Sequence, residues 1–138
     1  MLTISREADY ALLLISQLKK NKELTPLSVM IKNTRLPKRF LARIASKLAK
    51  AKLLKSREGK IGGYSLNVNW QKTNLFDFLL IFEKHLDIVK CSKSHYQCNF
   101  KSICSHSQSL RNKIHTGFVN SLKSTTLQEI FEKGQLNN

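Results

Sequence analysis

The chain has 138 residues, with 24 Lys and Arg against 9 Asp and Glu and a formal net charge of +15. That length holds one domain with a real core, or a small domain plus a helical arm, and so basic a chain is a candidate for binding a polyanion. No apolar run approaches the roughly 20 residues a bilayer span needs, and the opening M-L-T-I-S-R-E-A-D lacks the basic start and cleavage site of a secretion signal. These features predict a cytoplasmic protein with reduced thiols and no membrane partner. The charge is uneven: residues 1–70 carry 15 Lys and Arg against 4 Asp and Glu, and residues 71–138 carry 9 against 5.

Ala8, Ala11, Leu12, Ile15 and Leu18 recur at helical spacing and predict an amphipathic helix over residues 5–20. Ser5 is its expected N-cap, and Lys19, Lys20 and Lys22 close it at the negative end of the dipole. Thr25-Pro26 predicts a second, short helix reaching Lys32, with Thr as cap and Pro in the first helical position. After a turn at Asn33 to Leu36, Pro37 opens a third helix. Its buried stripe is Phe40, Leu41, Ile44, Leu48 and Leu53, and its other faces carry Lys38, Arg39, Arg43, Lys47 and Lys50. Two short helices across a tight turn, the second of them basic, fit the helix-turn-helix pattern in which the second helix enters the major groove.

Leu53 to Arg57 then reads as a strand, Glu58 to Gly63 as a glycine-containing turn and Tyr64 to Val68 as the returning strand. A basic helix followed directly by a hairpin predicts a winged helix-turn-helix DNA-binding domain over residues 1–70 of a mainly α protein. Thr73 is the expected cap of an apolar segment, Leu75 to Phe82, whose Phe76, Leu79, Leu80 and Phe82 should pack on that domain, making residues 71–90 a connecting helix. Residues 106–123 carry Leu110, Ile114, Phe118 and Leu122 at intervals of four. So narrow a seam on a helix outside the main fold meets a partner helix, which predicts a homodimer. Thr126-Leu127-Gln128-Glu129 reads as a capping box for a last helix with Leu127, Ile130 and Phe131. Residues 106–138 thus form a long dimerisation helix and a C-terminal helix, with Gly134 to Asn138 as a frayed tail.

All three cysteines lie between Cys91 and Cys104, in C-S-K-S-H-Y-Q-C-N-F-K-S-I-C, a C-x6-C-x5-C spacing within the loop 91–105. Such a density of thiols suggests a metal or iron-sulfur site. It lacks the C-x2-C pairs of structural zinc sites and the fourth cysteine of an ordinary cluster, so one ligand must come from elsewhere. The plainer alternative is buried or disulfide-forming cysteines, against which an odd count in a hydrophilic loop argues. A competing functional class is a zinc-stabilised nucleic-acid-binding or protein-interaction module that uses the three cysteines with His95 or His106. No nucleophile with its base, phosphate-cradling loop or paired carboxylates points to an enzyme.

The order of parts resembles the bacterial winged-helix regulators that sense iron-sulfur status or nitric oxide, the family containing IscR and NsrR, and is closer to the NsrR type. The stretches that carry the resemblance are L-T-I-S-R-E-A-D-Y-A-L, F-L-A-R-I-A-S-K-L, G-K-I-G-G-Y, the three-cysteine loop and T-T-L-Q-E-I-F. The resemblance implies a homodimeric transcriptional repressor whose Cys91, Cys98 and Cys104 hold a cluster, 4Fe-4S rather than 2Fe-2S, and whose helix after the third cysteine forms the dimer interface. Members resembling IscR place a histidine three residues after the third cysteine. This chain has Ser107 there, and His106 is one residue off, a step of about 100 degrees on a helix.

Members resembling NsrR instead take an aspartate from the first helix of the other subunit. Asp9 in A-D-Y-A-L matches that position, so Asp9 is the implied fourth ligand, with His106 and then His95 as alternatives and Glu7 a distant fourth. Glu58 stands where such wings often carry arginine, leaving Arg57 or Lys60 to make the wing contact. The expected DNA contacts are Arg39 and Arg43 to bases and Lys38 and Lys47 to phosphates of a pseudo-palindromic operator.

Overall fold

The computed structural model describes residues 3–133. Helix α1 (Arg6–Leu18) starts as its sequence suggests, with the Ser5 hydroxyl accepting from the Ala8 amide at 3.3 Å. The Glu83 carboxylate accepts from the Ser5 amide at 2.6 Å and adds a distant cap. Ala8, Ala11, Leu14, Ile15 and Leu18 are the buried face. Leu14 replaces the expected Leu12, which is half-buried at the edge.

Helix α2 (Leu27–Thr34) begins one residue later than predicted, and Thr25 is not its cap. The residue before a proline is pushed out of the helical region, and Thr25 takes an extended course that the wing uses. Its amide donates to the Tyr64 carbonyl at 2.8 Å, and the Tyr64 amide donates back at 2.9 Å. Pro26 occupies the cap position instead. Arg35, in the left-handed region at φ 57°, ends the helix. Helix α3 (Lys38–Lys50) follows Pro37 and buries Leu41, Ile44, Ala45 and Leu48.

Strands β1 (Leu54–Arg57) and β2 (Gly63–Leu66) pair antiparallel, with Leu54 opposite Leu66 and Arg57 opposite Gly63. Leu53 precedes the strand rather than opening it, because Lys52 at φ 60° turns the chain out of α3. Val68 lies beyond β2 and is exposed, since Asn67 to Lys72 turn through a short 3-10 segment, Trp70–Lys72.

Helix α4 (Leu75–Leu80) is capped by Asn74, whose side chain accepts from the Asp77 amide at 2.8 Å, not by Thr73. The Thr73 carbonyl is taken by the Leu127 amide at 2.9 Å, and the Leu75 amide donates to the Thr125 carbonyl at 2.8 Å. Phe78 and Leu79 are buried, whereas Leu80, expected in the core, is exposed. In so short a helix the apolar run is wider than the face available to bury it.

Helix α5 runs through Ser107–Ser109, a π-helical stretch Leu110–His115 and Thr116–Ser124. The Thr116 amide bonds five residues back to the Arg111 carbonyl, which marks the wider turn. The expected seam divides there. Leu122 is buried and Phe118 packs against the same core, while Leu110 and Ile114 remain exposed. Half of the predicted partner-facing seam therefore belongs to this chain's own core.

Helix α6 (Leu127–Lys133) starts at Thr126, whose hydroxyl accepts from the Glu129 amide at 3.3 Å. Leu127 is buried, Ile130 is exposed, and Phe131 packs edge-on to Trp70 at 5.8 Å between centroids. The Lys19 ammonium lies over both rings. One apolar cluster thus runs from Ala8 through Leu41, Trp70 and Phe78 to Leu127. The tail Gly134 to Asn138 lies outside the described residues.

Candidate nucleic-acid interface and cysteine site

Burial of Leu41, Ile44, Ala45 and Leu48 fixes which side of α3 faces outward. At about 100 degrees per residue the outermost line carries Arg39, Ser46 and Lys50, with Arg43 beside it and Lys38 about a quarter-turn away at the start of the helix, and all five are exposed. Ser46 was not among the expected contacts, although the period that placed Arg39 also places it.

Lys47 lies further round, toward α1. Its ammonium pairs with Oε2 of Glu7, and the Arg43 guanidinium donates to Oε1 of the same carboxylate at 2.8 Å. Arg43 also sits over the Phe40 ring at 5.2 Å, and Lys47 lies 5.7 Å from the centroid of the Phe82 ring. The Lys47 hydrogen bond, opposed by partial burial and reinforced by both positive charges, holds the Glu7 carboxyl below its ordinary 4.5. Lys47, expected to meet phosphate, is thus engaged within the chain. Glu7 was missed as part of this face. Its only sequence signal is its place just before Ala8, on the rim of the α1 surface that packs on α3.

The wing carries Arg57, Glu58, Lys60 and Ile61, all exposed, with Ile61 84% exposed. The Gly62 amide closes the tip on the Gly59 carbonyl at 3.0 Å, and Gly59 has φ 106°. The wing's root is tied to the α1–α2 connection by the Thr25–Tyr64 bridge, which places the hairpin beside α3.

The cysteines are half-buried and free. Cys91 sits in a single 3-10 turn, Lys90–Ser92, and Cys104 lies just before α5. All three line one cavity of about 860 Å³, together with Lys93, Lys101, Arg111 and His106. The Cys104 Sγ is 3.6 Å from His106 Nδ1 and 3.8 Å from its Nε2. Its thiol is held below the ordinary 9.0 by a hydrogen bond with the Ser107 side chain, then by the backbone of His106 and Ser107, with slight burial opposing. Ser107 stands where an IscR-like histidine would be, and the imidazole nearest the thiol is that of His106.

His95 lines a neighbouring cavity of about 530 Å³ with His85 and Asp87. Asp9 is exposed on α1 and does not line the cysteine cavity of its own chain. Among the described residues, no three His, Cys, Asp or Glu side chains gather into a group that could hold a metal ion. The three cysteines nevertheless open on one cavity with a cationic lining, and sulfur is the soft donor type that iron-sulfur iron takes.

Three helices packed as a helix-turn-helix, a basic exposed face on the second of the pair and a two-stranded wing beside it define a winged-helix DNA-binding regulator. A family model, Rrf2, described as an iron-dependent transcriptional regulator, matches residues 4–133. The chain belongs to the Rrf2 family, whose members are transcriptional regulators and not enzymes.

Several solved structures share the fold. CymR of B. subtilis, described as its global cysteine regulator, is 24% identical over 96% of this chain and 98% of its own, with a TM-score of 0.71. A protein of Listeria innocua is 20% identical over 99% and 92%, with a TM-score of 0.75. IscR of T. potens is 20% identical over 96% and 88%, with a TM-score of 0.63. No curated protein matches the sequence. Among the described residues no helix is long and apolar enough to cross a membrane.

Proposed function

We propose that the protein is a homodimeric repressor that binds a pseudo-palindromic operator and uses an iron-sulfur cluster to sense nitric oxide or redox stress. The observation that carries this reading is the convergence of all three cysteines on one cation-lined cavity in a winged-helix chain of the Rrf2 family. Cys91, Cys98 and Cys104 would hold the cluster, 4Fe-4S in this reading, and Asp9 supplied by the partner subunit would complete it. A carboxylate oxygen is a harder donor than thiolate and binds cluster iron less tightly, so the cluster would supply one displaceable position. Asp9 lies on α1, two residues beyond the Glu7 that holds Arg43 and Lys47 of α3. A ligand on Asp9 would thus act on the helix that packs against the recognition helix. It would shift the DNA-binding equilibrium only by its differential stability in the two arrangements.

Arg39 and Arg43 would reach base edges, Lys38 would meet phosphate, and Arg57 and Lys60 would bring the wing to the backbone. The exposed Leu110 and Ile114 of α5 offer the apolar contact for the second copy.

A second reading is favoured by the His106 ring beside Cys104: a Cys3His zinc site that stabilises a nucleic-acid-binding or protein-interaction module without sensing. Anaerobic reconstitution of wild type, Asp9→Ala and His106→Ala, followed by iron, labile sulfide and zinc analysis and by visible spectra, separates the readings. Cluster reading with Asp9 ligation predicts iron with sulfide in wild type, a bleached or short-lived cluster in Asp9→Ala and an unchanged one in His106→Ala. The reverse pattern moves the fourth ligand to His106, and one zinc without sulfide replaces sensing by the zinc module.

A further inference from the structure

We propose that Glu7 is a positioning residue for DNA recognition, holding Arg43 in the orientation in which its guanidinium reads a base. The inference rests on the DNA-binding reading of α3 and adds to it a residue on a different helix. Arg43 is confined on two sides, by Glu7 Oε1 at 2.8 Å and by the Phe40 ring at 5.2 Å. Its side chain is still 57% exposed. A guanidinium has five donors in a rigid fork. With one nitrogen held by Glu7, the other donors remain on an exposed side chain of the helix that also carries Arg39 and Ser46. An arginine fixed in this way loses less rotamer freedom on binding than one that is free in solvent.

The buttress is itself fixed. Glu7 lies in the first turn of α1, which is capped both by Ser5 and, through the Ser5 amide, by Glu83. Its side chain is 22% exposed, and its second oxygen is occupied by Lys47. Lys47 in turn lies 5.7 Å from the centroid of the Phe82 ring. The opposite interpretation makes Glu7 a competitor that DNA phosphates must displace. The two differ in sign. Loss of a competitor tightens binding to all DNA alike. Loss of a buttress lowers specific binding relative to non-specific binding, even as removal of a negative charge favours phosphate contact.

The test uses the full chain and a duplex that the wild-type protein selects from a random-sequence pool, with a scrambled duplex of equal length as reference. Fluorescence anisotropy at several salt concentrations gives the ratio of the two affinities for wild type, Glu7→Gln, Glu7→Asp, Arg43→Ala and the Glu7→Gln/Arg43→Ala double variant. Glu7→Gln is expected to bind the scrambled duplex at least as well as wild type and to lose roughly 5- to 50-fold in the ratio, within the range of one bidentate arginine–base contact. Arg43→Ala should lose a similar factor, and the double variant no more than Arg43→Ala alone. Glu7→Asp keeps the charge but shortens the reach. It should lower the ratio with an unchanged salt slope, and it carries the test if Glu7→Gln does not fold by thermal unfolding.

A wild-type ratio in both Glu7 variants overturns the proposal. So does equal tightening on both duplexes, which would make Glu7 a competitor. A wild-type protein that selects no duplex above the scrambled reference overturns the DNA-recognition reading itself.

Discussion

Replacing Gly63 by alanine puts a methyl group where the backbone of another segment already lies. An added Cβ would be 2.5 Å from the Thr25 carbonyl oxygen and 2.6 Å from its carbonyl carbon. Neither atom belongs to a side chain that can swing away, so relief requires the Thr25–Tyr64 bridge to open. That bridge consists of two backbone hydrogen bonds, of 2.8 and 2.9 Å, and Thr25 is buried. Each such bond contributes about 0.5–1.5 kcal/mol net, and a buried partner left unpaired costs about 1–3 kcal/mol. The expected loss is therefore about 2–4 kcal/mol, or a fall in Tm on the order of 10 °C for a domain of this size.

Urea unfolding measures the loss, and hydrogen exchange at the Thr25 and Tyr64 amides locates it. Gly59→Ala is the control. Nothing lies within 4 Å of its added Cβ, so only the strain of φ +106° remains, about 1–3 kcal/mol. There the two amides should stay protected. A Gly63→Ala protein that loses under about 1 kcal/mol with both amides still protected would refute the claim that this contact holds the wing.

Leu127→Ala should cost about 2–5 kcal/mol by chemical denaturation, because Leu127 is buried in the cluster that also contains Leu14 and Leu48. The Glu7 carboxyl is depressed in the folded chain, so its stabilisation is complete above its ordinary 4.5 and is lost as pH falls through the lower folded value. The stability gap between wild type and Glu7→Gln should accordingly be constant near neutral pH, shrink below about pH 4.5 and vanish in stronger acid. In the metal-free protein, Cys104 should react with iodoacetamide, as peptide mass mapping would show. Ser107→Ala should slow it, since that side chain makes the largest contribution to the lowered thiol.

Features with local causes were visible in the sequence. Ser5 caps α1, Leu41, Ile44 and Leu48 face inward, and the Gly59–Gly63 turn makes the wing, because each depends on neighbours a few residues away. Thr25 and Thr73 misled for one shared reason. Both have good capping chemistry, but both are claimed by backbone partners far along the chain, Tyr64 for the first and Leu127 for the second. The seam on α5 read as a partner surface throughout because sequence spacing cannot show that Phe118 and Leu122 face this chain's own α4 side.

At the candidate site, the grouping of Cys91, Cys98 and Cys104 was plain, and the structure opens all three on one cavity. Which basic side chains of α3 are free was not plain. An acid such as Glu7 takes its partners by geometry, and here it takes Arg43 and Lys47 while leaving Arg39 and Lys50 outside.

The pairing of Thr73 to Leu75 with Thr125 to Leu127 has a consequence for synthesis. The winged half is translated first, yet Trp70 is covered by Phe131, and Leu127 is buried in the same apolar cluster as Leu14 and Leu48. A nascent chain emerging in order therefore exposes an unfinished core until α6 has cleared the ribosome. By then the cysteine loop and α5 are already out, so the DNA-binding surface matures only after the segments proposed to sense and to dimerise are available. A chain truncated before Thr125 would carry every expected DNA contact and still lack the packing that holds them in place.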